Sequence, residues 1–135
     1  MTFQFLEHTA DLRMAVTGNT REELFCESLA GLVKVLNPCV RPEAEGEPLR
    51  LTLEAPDETA LLVDFLGEAL SRMAVEKKVY GRPRFLNLTD RTLTVDLEGR
   101  PVEGFGRDVK AVTYHEADVT RDDRGIWNTT IVFDI

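Results

Sequence analysis

The sequence has 135 residues, of which 43% are hydrophobic and 30% charged, a globular mix that excludes fibrous or disordered chains. No apolar run approaches the roughly 18 residues that a membrane span requires, so no membrane partner is expected. Twenty-four acidic residues against sixteen basic ones give a net charge of −8. That balance argues against high-affinity nucleic-acid binding, which runs on clustered Lys and Arg, and favours cations or basic protein surfaces.

Residues 1–4 lack the basic and apolar stretches of a signal peptide. Cys26 and Cys39 are too far apart for a CxxC pair, and two thiols with two histidines make a poor zinc site. Reduced thiols in a cytosolic protein are expected.

In chain order, alternation over residues 3–6 and 12–16 predicts a strand interrupted by the polar Glu7-His8-Thr9-Ala10-Asp11. Thr20 and Glu23 have capping-box spacing, in which each side chain satisfies the other residue's amide. Phe25, Leu29, Leu32 and Leu36 then recur at helical period, with Pro38 just beyond. Residues 41–48 are a polar connector too short to separate domains. Leu49, Leu51 and Leu53 alternate with polar residues as a half-wet strand. Asp57 caps a second helix that turns Leu62, Phe65, Leu66, Ala69 and Met73 inward. Gly67 within it implies a close packing contact, and Gly81-Arg82-Pro83 breaks the pattern. Strands follow at 85–88, 93–97, 109–119 and 126–135, with turns at 89–91 and 122–125. The glycine-rich 99–106 segment reads as a mobile loop. Few helices and short turns predict one α+β domain, residues 1–135, with a mainly antiparallel sheet and two helices.

No Walker A, GxGxxG, HExxH or GxSxG motif is present. Three polar groups stand out instead. His8-Thr9-Ala10-Asp11 breaks an apolar strand, as a turn bonded to its own backbone also does. In the strand at 109–115, Lys110, Val112 and Tyr114 share one face while Ala111, Thr113 and His115 share the other. A solvated lysine and a histidine bonded to a backbone carbonyl are the ordinary readings there. Near the last residue, Trp127, Ile131, Phe133 and Ile135 share an apolar face, leaving Asp134 on the other beside the α-carboxylate. A hard cation relieves such adjacent charges, and so does a lysine such as Lys110; spacing does not choose between them.

Glu7-His8-Thr9-Ala10-Asp11, then Val109-Lys110-Ala111-Val112-Thr113-Tyr114-His115, then Asp134-Ile135, resemble the archease family in order and placement along essentially the whole chain. The resemblance implies an α+β fold of strand–helix–strand–strand units, one inserted in another. It implies a cytoplasmic, non-catalytic partner of an RtcB-type RNA ligase in tRNA splicing and RNA repair, promoting GTP-dependent guanylylation and multiple turnover. It also implies a divalent-metal site (Ca²⁺, Mg²⁺ or Mn²⁺) at Asp11, Asp134 and the main-chain oxygens of Ile135. Lys110 matches a functionally important lysine, and His8 and His115 take supporting roles. The chain departs from the family pattern at Phe65-Leu66-Gly67-Glu68-Ala69, where Glu68 remains as an acidic candidate, and at Gly99-Arg100, where a glutamate is usual. Two rival readings stand beside this one: a general chaperone-like interaction module, and a free-standing metal-dependent hydrolase using Asp11, Asp134 and His115.

Overall fold

The capping residues open both helices. Thr20 Oγ1 accepts the Glu23 N–H at 3.0 Å and starts α1 (Arg21–Leu36). Asp57 Oδ1 accepts the Ala60 N–H at 2.8 Å and starts α2 (Glu58–Glu76). The first helix uses only half of the expected capping box. Glu23 is exposed, and its carboxylate makes no return bond to the Thr20 amide; in solvent that amide has water as a partner. Asn37 closes α1 in a left-handed conformation at φ 48, its N–H shared between the Val33 and Lys34 carbonyls.

The computed structural model describes residues 11–135. Its strands are β1 (Asp11–Gly18), β2 (Pro38–Val40), β3 (Glu47–Glu54), β4 (Lys78–Leu88), β5 (Thr92–Phe105), β6 (Ala111–Thr113), β7 (Thr120–Arg121) and β8 (Trp127–Asp134). Every pairing is antiparallel. One sheet has β8 at its centre with β1 and β6 on either side and β7 also on β8; the other is built around β5, which pairs β2, β3 and β4. The unit β3–α2–β4–β5, with β2 added to it through β5, thus lies between α1 and β6 of a second unit whose strands are β1, β6, β7 and β8. The α+β class and the nested arrangement expected from the sequence are both present.

The two units share a core because each helix also packs on the other unit. α1 lies on β1 and β4, while α2 lies on β6 as well as on β3 and β4. Phe25 of α1, Phe65 of α2 and Phe85 of β4 meet at the centre, with ring centroids 6.0, 6.1 and 6.2 Å apart. Phe25 and Phe65 are fully buried. The helical stripes read from the sequence (Phe25, Leu29, Leu32, Leu36; Leu62, Phe65, Leu66, Ala69, Met73) are all buried in one cluster.

Four local expectations are corrected. A Cβ at Gly67 would meet no atom within 4 Å, so the glycine makes no close contact. Replacing Gly67 with alanine is expected to raise stability by about 1 kcal/mol, because alanine lowers the cost of ordering the helix; urea denaturation reads this directly. Second, Gly81-Arg82-Pro83 does not separate the second helix from the next strand: α2 already ends at Glu76 and β4 runs from Lys78, with these residues forming an irregularity inside it where the register shifts between Gly81 and Arg84. Third, the 109–119 segment is not one strand. β6 stops at Thr113, and a turn follows in which Glu116 has φ 61.

Fourth, residues 99–105 continue β5 instead of looping out, paired with β4 and β2. Glycine permits this because the Tyr80 ring covers Gly99 where a Cβ would stand. Tyr80 is consequently buried, and its hydroxyl donates to Glu76 at 2.5 Å. Burial first, then the Glu76 carboxylate, pushes the phenol up to about 12 from 10.0. The folded protein therefore holds this proton more tightly than the unfolded chain. Stability present below about pH 10 should be lost as pH rises from about 10 to about 12. Tyr80→Phe should remove that part of the alkaline decline in urea-denaturation profiles.

Candidate functional site

The central position of β8 brings the two ends of the described chain together. Asp134 has Asp11 of β1 as its Cα partner on one side and Ala111 of β6 on the other. Directly opposed residues of an antiparallel pair project on one face, with Cβ atoms about 5 Å apart. On β1 that face continues through the exposed Arg13, Ala15 and Thr17, while Leu12, Met14 and Val16 turn to the core. Both aspartates are half-buried. Neither carboxylate has a hydrogen-bond or ion-pair partner among the described residues. Two like charges set directly opposite destabilise a ladder, so the pair needs a functional or ionic explanation that packing does not supply.

Lys110 approaches through its backbone. Its N–H donates to the Asp134 carbonyl at 2.7 Å, one residue before β6 begins, so its side chain starts from a Cα beside the pair. The lysine is exposed, and among the described residues no carboxylate lies within 4.0 Å of its ammonium. Ile135 packs its side chain against the core, which fixes the main chain next to Asp134. The expected face-sharing of Lys110, Val112 and Tyr114 does not extend along a strand, because only Ala111–Thr113 is regular.

Glu68 and His115 do not join the carboxylates. Glu68 is paired with Arg72 one turn along α2, at 3.0 Å. His115 is exposed in the turn after β6 and makes no bond to a backbone carbonyl among the described residues. No three His, Cys, Asp or Glu side chains gather among the described residues, so Asp11 and Asp134 stand as a pair. His8, with Glu7, Thr9 and Ala10, lies outside the described residues.

Three contacts that the sequence did not announce fix the turn beside the site. Tyr114 donates its hydroxyl to Asp64 of α2, a bond that raises the phenol's pKa. The Val119 N–H donates to Thr59 Oγ1 at 2.9 Å. At its tip Glu116 meets Arg13 at 2.7 Å, two residues along β1 from Asp11. Tyr114 looked like a strand residue in the sequence, and no local pattern pairs it with a helix fifty positions away. What the site offers chemically is two carboxylates abreast, hard oxygen donors of the kind that divalent cations such as Ca²⁺ or Mg²⁺ take and zinc does not favour, with Lys110 tied to Asp134 through its backbone N–H.

The archease protein family matches residues 3–135. The chain belongs to the archease family. It is 30% identical to protein archease of Methanosarcina barkeri over 98% of this chain and 95% of that protein, and 30% identical to protein archease of Methanopyrus kandleri over the full length of both. The fold is that of a Thermotoga maritima archease crystal structure, described as a possible chaperone, with a TM-score of 0.75 at 20% identity over 100% of this chain and 98% of that one. A Methanobacterium thermoautotrophicum protein solved in solution has a TM-score of 0.66 at 21% identity, with 96% of each chain covered. Membership of the archease family supports an accessory-protein role. Among the described residues no helix is long and apolar enough to cross a membrane.

Proposed function

We propose that this chain is a non-catalytic activator of an RtcB-type RNA ligase in the cytosol, acting in tRNA splicing and RNA repair. The observation that supports this reading most is Asp11 and Asp134 abreast on one sheet face, neither with a partner among the described residues. In this reading Asp11, Asp134 and the main-chain oxygens of Ile135 hold Ca²⁺, Mg²⁺ or Mn²⁺. The cation, when bound, offsets the carboxylate repulsion and presents a positive charge to phosphate oxygens. The two aspartates would hold it from directly opposed positions on β1 and β8. Lys110 adds a second positive charge beside it, as a mobile ammonium on a flexible stem. Together they help to position GTP and its metals in the ligase pocket while the ligase is guanylylated. The protein forms no covalent bond itself, and RNA is held by the ligase.

The deciding assay is RNA joining by the RtcB-type ligase of the same organism, with GTP and Mn²⁺, limiting ligase and excess RNA. Addition of this protein is expected to raise joining from about one turnover per ligase to many. A competent ligase whose turnover does not change would remove the proposal. Suppression of aggregation in unrelated client proteins, with no effect on the ligase, would put a general chaperone-like module in its place.

A further inference from the structure

A groove of about 360 Å³ lies between α1 and β4, away from the carboxylate pair. That volume is within the range of small-molecule pockets. Its walls are apolar, from Leu29, Val33, Val79 and Pro83, with Cys26 at one side. Its mouth on the sheet side carries Arg82, Glu98 and Arg100.

The mouth is shaped by the irregularity in β4. Arg82 adopts φ 51, a left-handed conformation that costs a non-glycine residue free energy, and the following proline has no N–H to give the ladder. A bulge of this kind re-aims side chains, and here Arg82 and Pro83 both line the groove. The two arginines meet one carboxylate: Arg82 reaches Glu98 at 3.4 Å and Arg100 reaches it at 3.2 Å. Each guanidinium has five N–H donors, so Glu98 occupies a minority of them, and the mouth holds one positive charge in excess. The opposite wall has the reverse character. Burial, and then Glu22, Glu27 and Glu23, raise the Cys26 pKa, which keeps that wall an uncharged thiol backed by acidic residues. A negative group is therefore repelled from the Cys26 side and drawn to the arginines.

We propose that this groove binds a small amphipathic carboxylate of the medium-chain fatty-acid type, its tail along Leu29 and Val33 and its carboxylate at Arg82 and Arg100. The site is independent of the ligase proposal and survives its failure.

Decanoate is the probe, and the rate of Cys26 alkylation in a Cys39→Ser background is the readout. Decanoate should slow alkylation saturably, and decanol should need at least about tenfold higher concentration for equal protection, since charge-assisted hydrogen bonds are worth about 1.5–3 kcal/mol. The double change Arg82→Glu with Arg100→Glu should weaken decanoate at least about tenfold while leaving decanol unaffected. Ala30 lines the groove from an exposed position on α1, so Ala30→Trp should cover it and abolish protection in a protein with an unchanged melting transition. Absence of protection by decanoate at its solubility limit overturns the proposal. So does equal protection by decanol and decanoate, or undiminished decanoate binding in the doubly reversed or Ala30→Trp protein.

Discussion

Asp11→Ala is expected to abolish stimulation of the ligase while leaving the protein as stable as before, or more stable by up to about 1 kcal/mol. The sign follows from the ladder: Asp11 stands directly across from Asp134, and removing one of two opposed like charges relieves repulsion. Most substitutions that abolish function through misfolding move stability the other way. The proposal therefore predicts an unusual pairing, activity lost and stability kept. Addition of Ca²⁺ or Mn²⁺ should raise the melting temperature of the unaltered protein, since a ligand at a hundred times its dissociation constant adds about 2.7 kcal/mol to the folded state. In Asp11→Ala that rise should be lost. Lys110→Ala should separate the two functions, keeping the cation-dependent rise and losing the stimulation. Its side chain makes no ion pair among the described residues, and its link to Asp134 runs through the backbone N–H, which alanine retains. Calorimetric melting with and without cation, beside the turnover assay, checks all of this. Full stimulation by both variants would remove Asp11 and Lys110 from the mechanism.

Phe65→Ala should produce the largest loss of stability of any single change described here, about 3–5 kcal/mol. Phe65 is fully buried and touches Phe25 of the outer unit and Phe85 of its own. Truncation removes the side chain that joins two helices belonging to different units, and neither helix can close the space without pulling away from its own sheet. The loss is a large share of the 5–15 kcal/mol that holds a typical domain folded. Phe85 is only partly buried, so Phe85→Ala should cost less. Denaturant midpoints of the two variants give the order, and a larger loss for Phe85→Ala would show that the units are coupled elsewhere.

The helices were legible because their signals are local. Thr20 and Asp57 cap, and the apolar residues repeat at helical period, within a few positions of one another. Glycine misled the reading in helix and strand alike for a shared reason. Gly67, Gly81 and Gly99 look alike in sequence, yet one faces open space, one begins a bulge and one lies under the Tyr80 ring. Only the residue arriving from another strand decides which. The same limit applies to the site. Asp134 and Asp11 were legible as candidates through family resemblance, but their direct opposition depends on the β1–β8 register, which no short-range pattern fixes. Glu68 stands on α2 with Arg72, one helical turn away, as its partner, a pairing that its spacing in the sequence allows but does not dictate.

The position of β8 bears on how the molecule is made. Among the described strands this one comes last in chain order, yet it sits between β1 and β6. During synthesis the outer sheet lacks its middle until late. β1 waits with the edge that β8 later covers still open, a state that invites pairing with other chains, whereas β3, α2, β4 and β5 complete their own sheet from contacts close in sequence. Pairing across nearly the whole chain is also slow to form. The opposed carboxylates come into being only when that last pairing closes, so a nascent or truncated chain presents no such site to a partner.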